Sequence, residues 1–276
     1  MAFCCSKRTE EPEPVPDEYP PAEGNGQILP LNSDVFYVEG YFTMMPLTKV
    51  RSTMTILRDG NELTLVNTVR LDEKGLRHLE ELGQVRKVVR LGGGHGTHDA
   101  FYVQRYNAIL YGLAGMKWGP DCGEPQKKIG TIPLQMDRDL AQGSPVPTGR
   151  VIILETKPDM PEAALHVDRH KLLITCDCVQ NHGAEGDVPS GMAGSMFSVM
   201  GFKGEARTPP MWFKFFSPSG TAGPMQQSLD RLHDVQWSML ITAHGPPCTE
   251  NPQQKHKAYP PQPHPTSTHH LQYRSP

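Results

Sequence analysis

The sequence has no apolar stretch long enough to cross a membrane. Its longest apolar runs, around Leu172–Thr175 and Met239–Ala243, extend over six or seven residues, whereas a membrane-spanning helix needs about 20. An excess of basic charge is also missing, because 27 Lys and Arg face 30 Asp and Glu, for a net charge of −3. Proteins that coat nucleic acid are usually strongly basic. The sequence therefore predicts neither a transmembrane segment nor a nucleic-acid partner.

The first residues lack the apolar segment of a secretory signal. The six cysteines are therefore expected to be free thiols in a reduced, cytoplasmic setting. Cys176 and Cys178 are two residues apart, so on a strand they point to opposite faces and are poor partners for one zinc ion. We interpret them as core residues. Cys4 and Cys5 suit an S-acylation site, with an unmodified tail as the simpler interpretation.

Proline is concentrated at the two ends of the chain. Fourteen of the 27 prolines lie in residues 1–30 and 246–276, where large apolar side chains are scarce. Such segments bury too little surface to offset the entropy lost on ordering. We predict a disordered tail at residues 1–30, one folded domain at residues 31–247, and a disordered Pro- and His-rich tail at residues 248–276.

Between the tails, strand and helix patterns alternate, which indicates an α/β domain. Predicted strands are residues 35–44, 53–58, 62–69, 85–91, 108–113, 149–156, 163–167, 171–176 and 238–243. Predicted helices follow an N-cap at Asp72 and lie near residues 100–106, 191–201 and 227–236. Asp59-Gly60 predicts a two-residue type I′ hairpin turn. The aromatic stretch 211–216 suits either a buried strand or the wall of a pocket.

Four polar residues lie just beyond the C-terminal ends of apolar strands, namely His95, Asp99, Asp177 and His244. Ligand sites in α/β proteins are built at such strand ends. Two imidazoles and two carboxylates suit Zn, Fe or Mn, and a bound metal lowers the pKa of its water to about 7. The alternative is that each residue caps a loop or helix, and Asp99 in particular suits the N-cap of a helix starting near Ala100.

The order of these elements, with the segments VVRLGGGHGTHD, LLITCD and LITAHG, resembles the metallo-β-lactamase fold superfamily over about residues 33–247. The resemblance implies an α/β fold, a four-layer αββα sandwich, with a metal site at one edge between its halves. The superfamily's first motif is His-x-His-x-Asp-His. Here His95 and Asp99 match its first histidine and its aspartate, while Thr97 and Ala100 replace the other two histidines.

The later ligand positions are also partly filled. Asp177 matches the strand-end aspartate that bridges two metals, and His244 resembles the last histidine. The middle histidine has no match in residues 156–161, so His98 and His166 are the candidate substitutes. The resemblance thus implies a degenerate site rather than a full binuclear centre.

The residues that match the superfamily's ligands are divided unevenly between its two metal positions. The first position keeps His95 and Asp177, whereas the second keeps Asp99, His244 and Asp177. Three protein ligands are the usual minimum for a catalytic mononuclear centre. The resemblance therefore implies at most one Zn, Fe or Mn ion, and the sequence predicts no organic cofactor.

Two functions remain open at this stage. The first is a metal-dependent hydrolase of a small-molecule substrate, in which Asp177, Asp99 and His244 hold the ion. His95 is then a fourth ligand or a base, and Asp99 and His95 are the predicted catalytic residues. The second is a binding or scaffold protein that keeps the fold without turnover, which the lost histidine positions favour. The sequence has neither a Gly-x-Ser-x-Gly nucleophile elbow nor a phosphate-binding loop.

Overall fold

In the computed structural model, two β-sheets face each other and helices cover their outer sides. The predicted four-layer αββα sandwich is confirmed. The residues that the structure describes are 19, 21–23, 26–45, 48–117, 135–183, 194, 198–199, 201–218 and 223–258.

Over the described residues, the larger sheet has seven strands in sequential order. They are β1 (Ile28–Pro30), β2 (Val35–Met45), β3 (Thr48–Asp59), β4 (Glu62–Val66), β5 (Gln84–Val89), β6 (Ile109–Gly112) and β7 (Arg138–Asp139). The first four strands pair antiparallel, and β4 to β7 pair parallel. The parallel part brings the C-terminal end of β5 to the edge where the two sheets meet.

The smaller sheet has the strand order β11-β10-β9-β8. Its strands are β8 (Gly149–Leu154), β9 (Glu162–Val167), β10 (Leu172–Thr175) and β11 (Met239–Thr242). Because β10 and β11 are parallel, the residues that follow both strands emerge at the same edge.

Within the part of the chain that the structure describes, five α-helices with defined bounds flank the sheets. They are α1 (Glu73–Leu82), α2 (Asp99–Tyr106), α3 (Pro210–Phe216), α4 (Gly223–Asp230) and α5 (Pro252–Ala258). Short 3-10 turns cover Leu140–Gln142, Asp168–His170 and Arg231–His233. Among the described residues, no helix is long and apolar enough to span a bilayer.

Strand β10 shows how the sequence divides its side chains between two apolar cores. Leu172 and Ile174 pack into the core shared by both sheets, whereas Leu173 packs into a second core beneath the smaller sheet. The second core also contains Trp212 and Phe213 of α3. This period of two lets one buried strand serve both layers.

The N-cap predicted at Asp72 is confirmed, because its carboxylate accepts a hydrogen bond of 2.7 Å from the Gly75 amide. The predicted hairpin is also present, but its turn is different. Asp59 pairs with Glu62, so the two central residues are Gly60 and Asn61. Only Gly60 has a positive φ, of 60°. This is the pattern of a type II′ turn, which places glycine first, so the type I′ prediction is wrong.

The structure describes backbone pairing within both predicted tails. Strand β1 pairs with β2, and the Glu23 carbonyl accepts a hydrogen bond from the Tyr41 amide. At the other end, Cys248 pairs with Leu240, and α5 follows. Backbone hydrogen bonds hold these segments although they are rich in proline. Most of the helix predicted near 191–201, and residues 1–18 and 259–276 of the two tails, lie outside the described residues.

The aromatic stretch 211–216 forms part of helix α3, so the strand interpretation is wrong. Pro210 occupies the first turn, where its missing N–H costs nothing. Trp212, Phe213 and Phe216 are buried against the smaller sheet, while Phe215 is half exposed.

Candidate metal centre

The candidate site lies at the edge where hydrogen bonds join the two sheets. The Asn67 side chain donates to the Thr175 carbonyl at 3.0 Å and accepts from the Leu91 amide at 3.3 Å. The Thr53 amide donates to the Ala243 carbonyl at 2.8 Å. These contacts fix the ends of β5, β10 and β11 relative to one another. The loops that follow the three strands therefore converge.

Three of the four predicted site residues meet at this edge. The Nε2 atom of His244 lies 3.1 Å from Oδ1 of Asp177 and 3.2 Å from Nε2 of His95. The Nε2 atom of His95 lies 3.3 Å from the same Asp177 oxygen. We call these three atoms the three-atom cluster. His95 and Asp177 keep 14% and 15% of their side-chain surface exposed, so the cluster is open to solvent.

The tautomer of His244 follows from its second nitrogen. Nδ1 of His244 lies 2.8 Å from the Arg51 carbonyl oxygen, which can only accept, so Nδ1–H donates to it. In the neutral ring, Nε2 therefore presents a lone pair to Asp177 and His95. This backbone contact also orients the ring, as outer-shell carbonyls do for metal-binding histidines.

His244 and Asp177 change each other's pKa. Burial lowers the pKa of His244, but the hydrogen bond and charge of Asp177 outweigh it and raise the pKa overall. Burial raises the pKa of Asp177, while His95 and His244 lower it by a larger amount, so Asp177 is ionised. The site thus holds a carboxylate that requires a nearby positive charge.

A fully buried carboxylate holds the Asp177 turn in place. Oε1 of Glu162 accepts hydrogen bonds from the amides of Asp177, at 2.7 Å, and Cys178, at 2.6 Å. Its Oε2 accepts from Nε1–H of Trp212 at 2.6 Å. Burial and the neighbouring Asp177 raise the pKa of Glu162, and the hydrogen bonds from Trp212 and Cys178 oppose that rise. Glu162 therefore links the turn to helix α3.

Asp99 is placed differently from the other three predicted residues. It is fully buried, and its Oδ2 lies 2.7 Å from Nε of Arg90, which is also fully buried. Its Oδ1 accepts a hydrogen bond of 2.6 Å from the Thr68 hydroxyl. Both carboxylate oxygens are therefore engaged within the protein, and the charge of Asp99 is balanced by a guanidinium.

The loop at residues 92–98, which carries the first motif and is called the motif loop here, closes around the same guanidinium. Arg90 donates to the carbonyl oxygens of Gly96, at 3.2 Å, and Lys117, at 2.6 Å. Gly96 has a φ of 104°, and a Cβ there would lie 1.9 Å from Nη2 of Arg90. Glycine is thus required at 96 both by the backbone and by the guanidinium that lies against it.

The predicted N-cap role of Asp99 is wrong, since α2 begins at Asp99 itself and His98 precedes it without a side-chain cap bond. Burial lowers the pKa of His98 to about 4. His166 lies in β9, where Nε2–H donates to the Gln236 carbonyl at 2.9 Å and Nδ1 lies 2.9 Å from Asp168. Its strand partner is Leu173, at the middle of β10. His166 therefore does not join the three-atom cluster.

A divalent cation fits the three-atom cluster. Metal bonds of about 2.0–2.2 Å to nitrogen and oxygen separate tetrahedral ligand atoms by about 3.3–3.6 Å. The separations of 3.1–3.3 Å between the three atoms are close to this spacing. Two imidazole nitrogens and a carboxylate oxygen are ligands for Zn, Fe or Mn. Asp177, His95 and His244 could thus hold one ion.

Sequence reasoning missed two residues that support the site. Arg90 is a lone charge within the apolar run VVRL, and Glu162 directly precedes the apolar run AALHV. A buried charge needs a partner, so a charged residue beside or within an apolar run predicts a buried ion pair or hydrogen bond. Its partner is not readable, because the pairings of Glu162 with Asp177 and Trp212 depend on the folded topology.

No protein-family model matches the sequence, and no curated protein matches it. Solved structures do match. A β-lactamase domain protein from Burkholderia ambifaria has a TM-score of 0.53 at 15% identity, over 87% of this chain and 78% of that one. The metallo-β-lactamase FIM-1 from Pseudomonas aeruginosa, in its mono-zinc form, has 0.51 at 11%, over 85% and 94%. The metallo-β-lactamase DIM-1 has 0.51 at 13%, over 84% and 94%.

These similarities extend over most of each chain. The chain therefore has the metallo-β-lactamase fold, as the resemblance implied. The identities of 11–15% establish the fold alone.

Proposed function

We propose that the protein is a mononuclear metal-dependent hydrolase whose single ion is held by His95, Asp177 and His244. The observation that carries the proposal is the three-atom cluster, in which two nitrogens and a carboxylate oxygen lie 3.1–3.3 Å apart. Lone-pair donors this close need a cation or a proton between them. A bound ion would supply Lewis-acid activation of water and of the scissile bond.

The surrounding residues would prepare the site for that chemistry. The Arg51 carbonyl fixes the His244 ring, and Glu162 fixes the turn that carries Asp177. We assign His95 as a ligand rather than a base, because its Nε2 points into the cluster. The 14–15% exposure of His95 and Asp177 leaves an opening for a small-molecule substrate.

A single ion is favoured over two because the residues expected to bind a second ion either have other partners or are absent. Arg90 and Thr68 engage both oxygens of Asp99, and positions 97 and 100 hold threonine and alanine. We therefore propose a structural role for Asp99 in place of the metal and catalytic roles expected from the sequence. The mono-zinc form of FIM-1 provides a precedent for this fold with one zinc.

The second candidate is a protein that keeps the fold for binding without turnover. The Arg90–Asp99 pair favours it, because an internal cation stabilises the motif loop without any metal. We also propose a cytoplasmic setting, which the free thiols of Cys176, Cys178 and Cys248 support.

Metal analysis of the untagged full-length chain and two variants tests the ligand assignment. We expect one ion per chain, loss of that ion in Asp177→Asn, and full retention in Asp159→Asn, an exposed aspartate of the β8–β9 loop. The histidine-rich C-terminal segment is present in all three proteins, so it cannot produce a difference. Full occupancy in Asp177→Asn would refute the site.

A substrate screen then separates the two candidate functions. The metal-loaded protein is assayed on esters, lactones and phosphodiesters, beside Asp177→Asn as the inactive reference. Turnover that disappears in the variant supports the hydrolase. Stoichiometric metal without turnover on any of the three classes favours the binding protein.

A further inference from the structure

The thiol of Cys176 lies next to the three-atom cluster. Its Sγ atom is within 4.8 Å of a ligand atom of both His95 and Asp177. Cys176 follows β10 directly, precedes Asp177, and is fully buried. Its side chain belongs to the core between the two sheets, so it forms the floor beneath the exposed part of the cluster.

The absence of a side chain at residue 92 allows this position. A Cβ on Gly92 would lie 2.5 Å from Sγ of Cys176 and 3.7 Å from Cδ2 of His95. The thiol therefore packs directly on the Gly92 backbone, on the side that also faces the His95 ring. Any larger residue at 92 would displace the sulfur from this place.

The three-atom cluster supplies three ligands, and zinc can take a fourth protein ligand and still expand to five-coordinate when water or substrate binds. Zinc bonds of about 2.3 Å to sulfur and 2.0–2.1 Å to nitrogen place S and N about 3.5 Å apart in tetrahedral geometry. Sγ of Cys176 lies within 4.8 Å of ligand atoms of His95 and Asp177. A movement of at most about 1.3 Å, which a χ1 adjustment of cysteine provides, brings it to the tetrahedral distance from these two atoms.

We propose that Cys176 Sγ is the fourth protein ligand of the ion, which makes this a zinc site with two nitrogens, one oxygen and one sulfur. The proposal rests on the mononuclear function proposed above and names its metal. Thiolate is a soft ligand that suits zinc and disfavours Mn. When the S–metal bond forms, the S–H bond breaks and its proton passes to solvent.

Cys178 provides a matched control. It is also fully buried and lies one residue beyond Asp177. Its side chain, however, belongs to the second core, beneath the smaller sheet, with Trp212 and Phe213. The two thiols therefore share burial and sequence context but face opposite sides, so only Cys176 adjoins the cluster.

Cobalt substitution of the full-length chain distinguishes the two thiols. A thiolate bound to Co²⁺ gives an intense near-ultraviolet charge-transfer band, which carboxylate and imidazole ligands do not give. We expect this band at one equivalent of Co²⁺ in the parent and in Cys178→Ser, and its loss in Cys176→Ser. We also expect zinc affinity to fall in Cys176→Ser by at least the roughly 10–100-fold that loss of an outer-shell partner costs.

The outcomes separate this proposal from the proposed function. One bound Co²⁺ without the band in the parent, or a band that persists in Cys176→Ser, overturns the sulfur ligand and leaves the three-ligand centre intact. Failure of the parent to bind any metal overturns both proposals. Cys176→Ala repeats the test, with a circular dichroism spectrum matching the parent as the sign that the variant is folded.

Discussion

At the scale of single residues, the Arg90–Asp99 pair is where this site departs from the metal-ligand role that the sequence predicted for Asp99. Two fully buried charges are expensive to desolvate, and they persist only when geometry and further hydrogen bonds compensate. Here the guanidinium binds a carboxylate and two carbonyl oxygens, and the carboxylate also accepts from Thr68. The motif loop is therefore organised around a cation that belongs to the chain itself.

Removal of that cation should destabilise the fold strongly. In Arg90→Met, Asp99 becomes a buried charge without its partner, so the free energy of unfolding should fall by roughly 3–5 kcal/mol. The double variant Arg90→Met/Asp99→Leu removes both charges and should regain part of this loss. Urea unfolding of the parent, Arg90→Met, Asp99→Leu and the double variant measures the coupling free energy between the two side chains. A double variant no more stable than Arg90→Met would show that the two charges do not compensate each other.

At the scale of secondary structure elements, the β3–β4 hairpin depends on one backbone angle. Gly60 has a φ of 60°, and a Cβ at that position would meet no atom within 4 Å. Space is therefore not limiting at Gly60, and any penalty for a side chain comes from the backbone. Gly143 is a suitable comparison, because it is equally open but has an extended φ of 164°.

Substitution by valine at these two glycines separates conformation from packing. Gly60→Val should lower the free energy of unfolding by about 1 kcal/mol or more, because β-branched residues resist positive φ. Gly143→Val should change it by only a few tenths of a kcal/mol, since any residue adopts its backbone conformation. Thermal and urea unfolding of both variants provides the measurement. Equal effects at the two sites would mean that the turn does not require glycine.

The elements that the sequence predicted well are those that local signals determine. The Asp72 cap and the helix it starts need only four consecutive residues, and the apolar runs before Asp177 and His244 are strands by composition alone. The sequence does not predict helix α3, because a short run of buried aromatic residues fits the hydrophobic period of a helix and that of a strand equally well. The role of Asp99 could not be predicted, since it depends on an ion pair with Arg90, the residue that follows strand β5.

At the scale of the whole molecule, the segment after residue 247 completes the smaller sheet. Cys248 exchanges two hydrogen bonds, of 2.8 and 2.9 Å, with Leu240 of the edge strand β11. The Gln253 side chain donates to the Val235 carbonyl at 2.8 Å. The ring of the buried His256 lies 3.1 Å from the Thr208 hydroxyl and 3.0 Å from His233. The segment thus satisfies polar groups that would otherwise stay unpaired.

Two truncations test whether this segment belongs to the folded domain. A chain ending at Pro247 loses the Cys248 pairing, the Gln253 contact and the His256 contacts, which at about 1 kcal/mol per hydrogen bond sum to roughly 3–5 kcal/mol. For a domain of this size that lowers the melting temperature by about 6–20 °C. A chain ending at Ala258 keeps every one of these contacts and should melt within a few degrees of the full chain. Differential scanning calorimetry of the three proteins makes the comparison. If the chain ending at Pro247 melted with the other two, helix α5 would contribute nothing to stability, and the domain would end where proline content alone had placed its boundary.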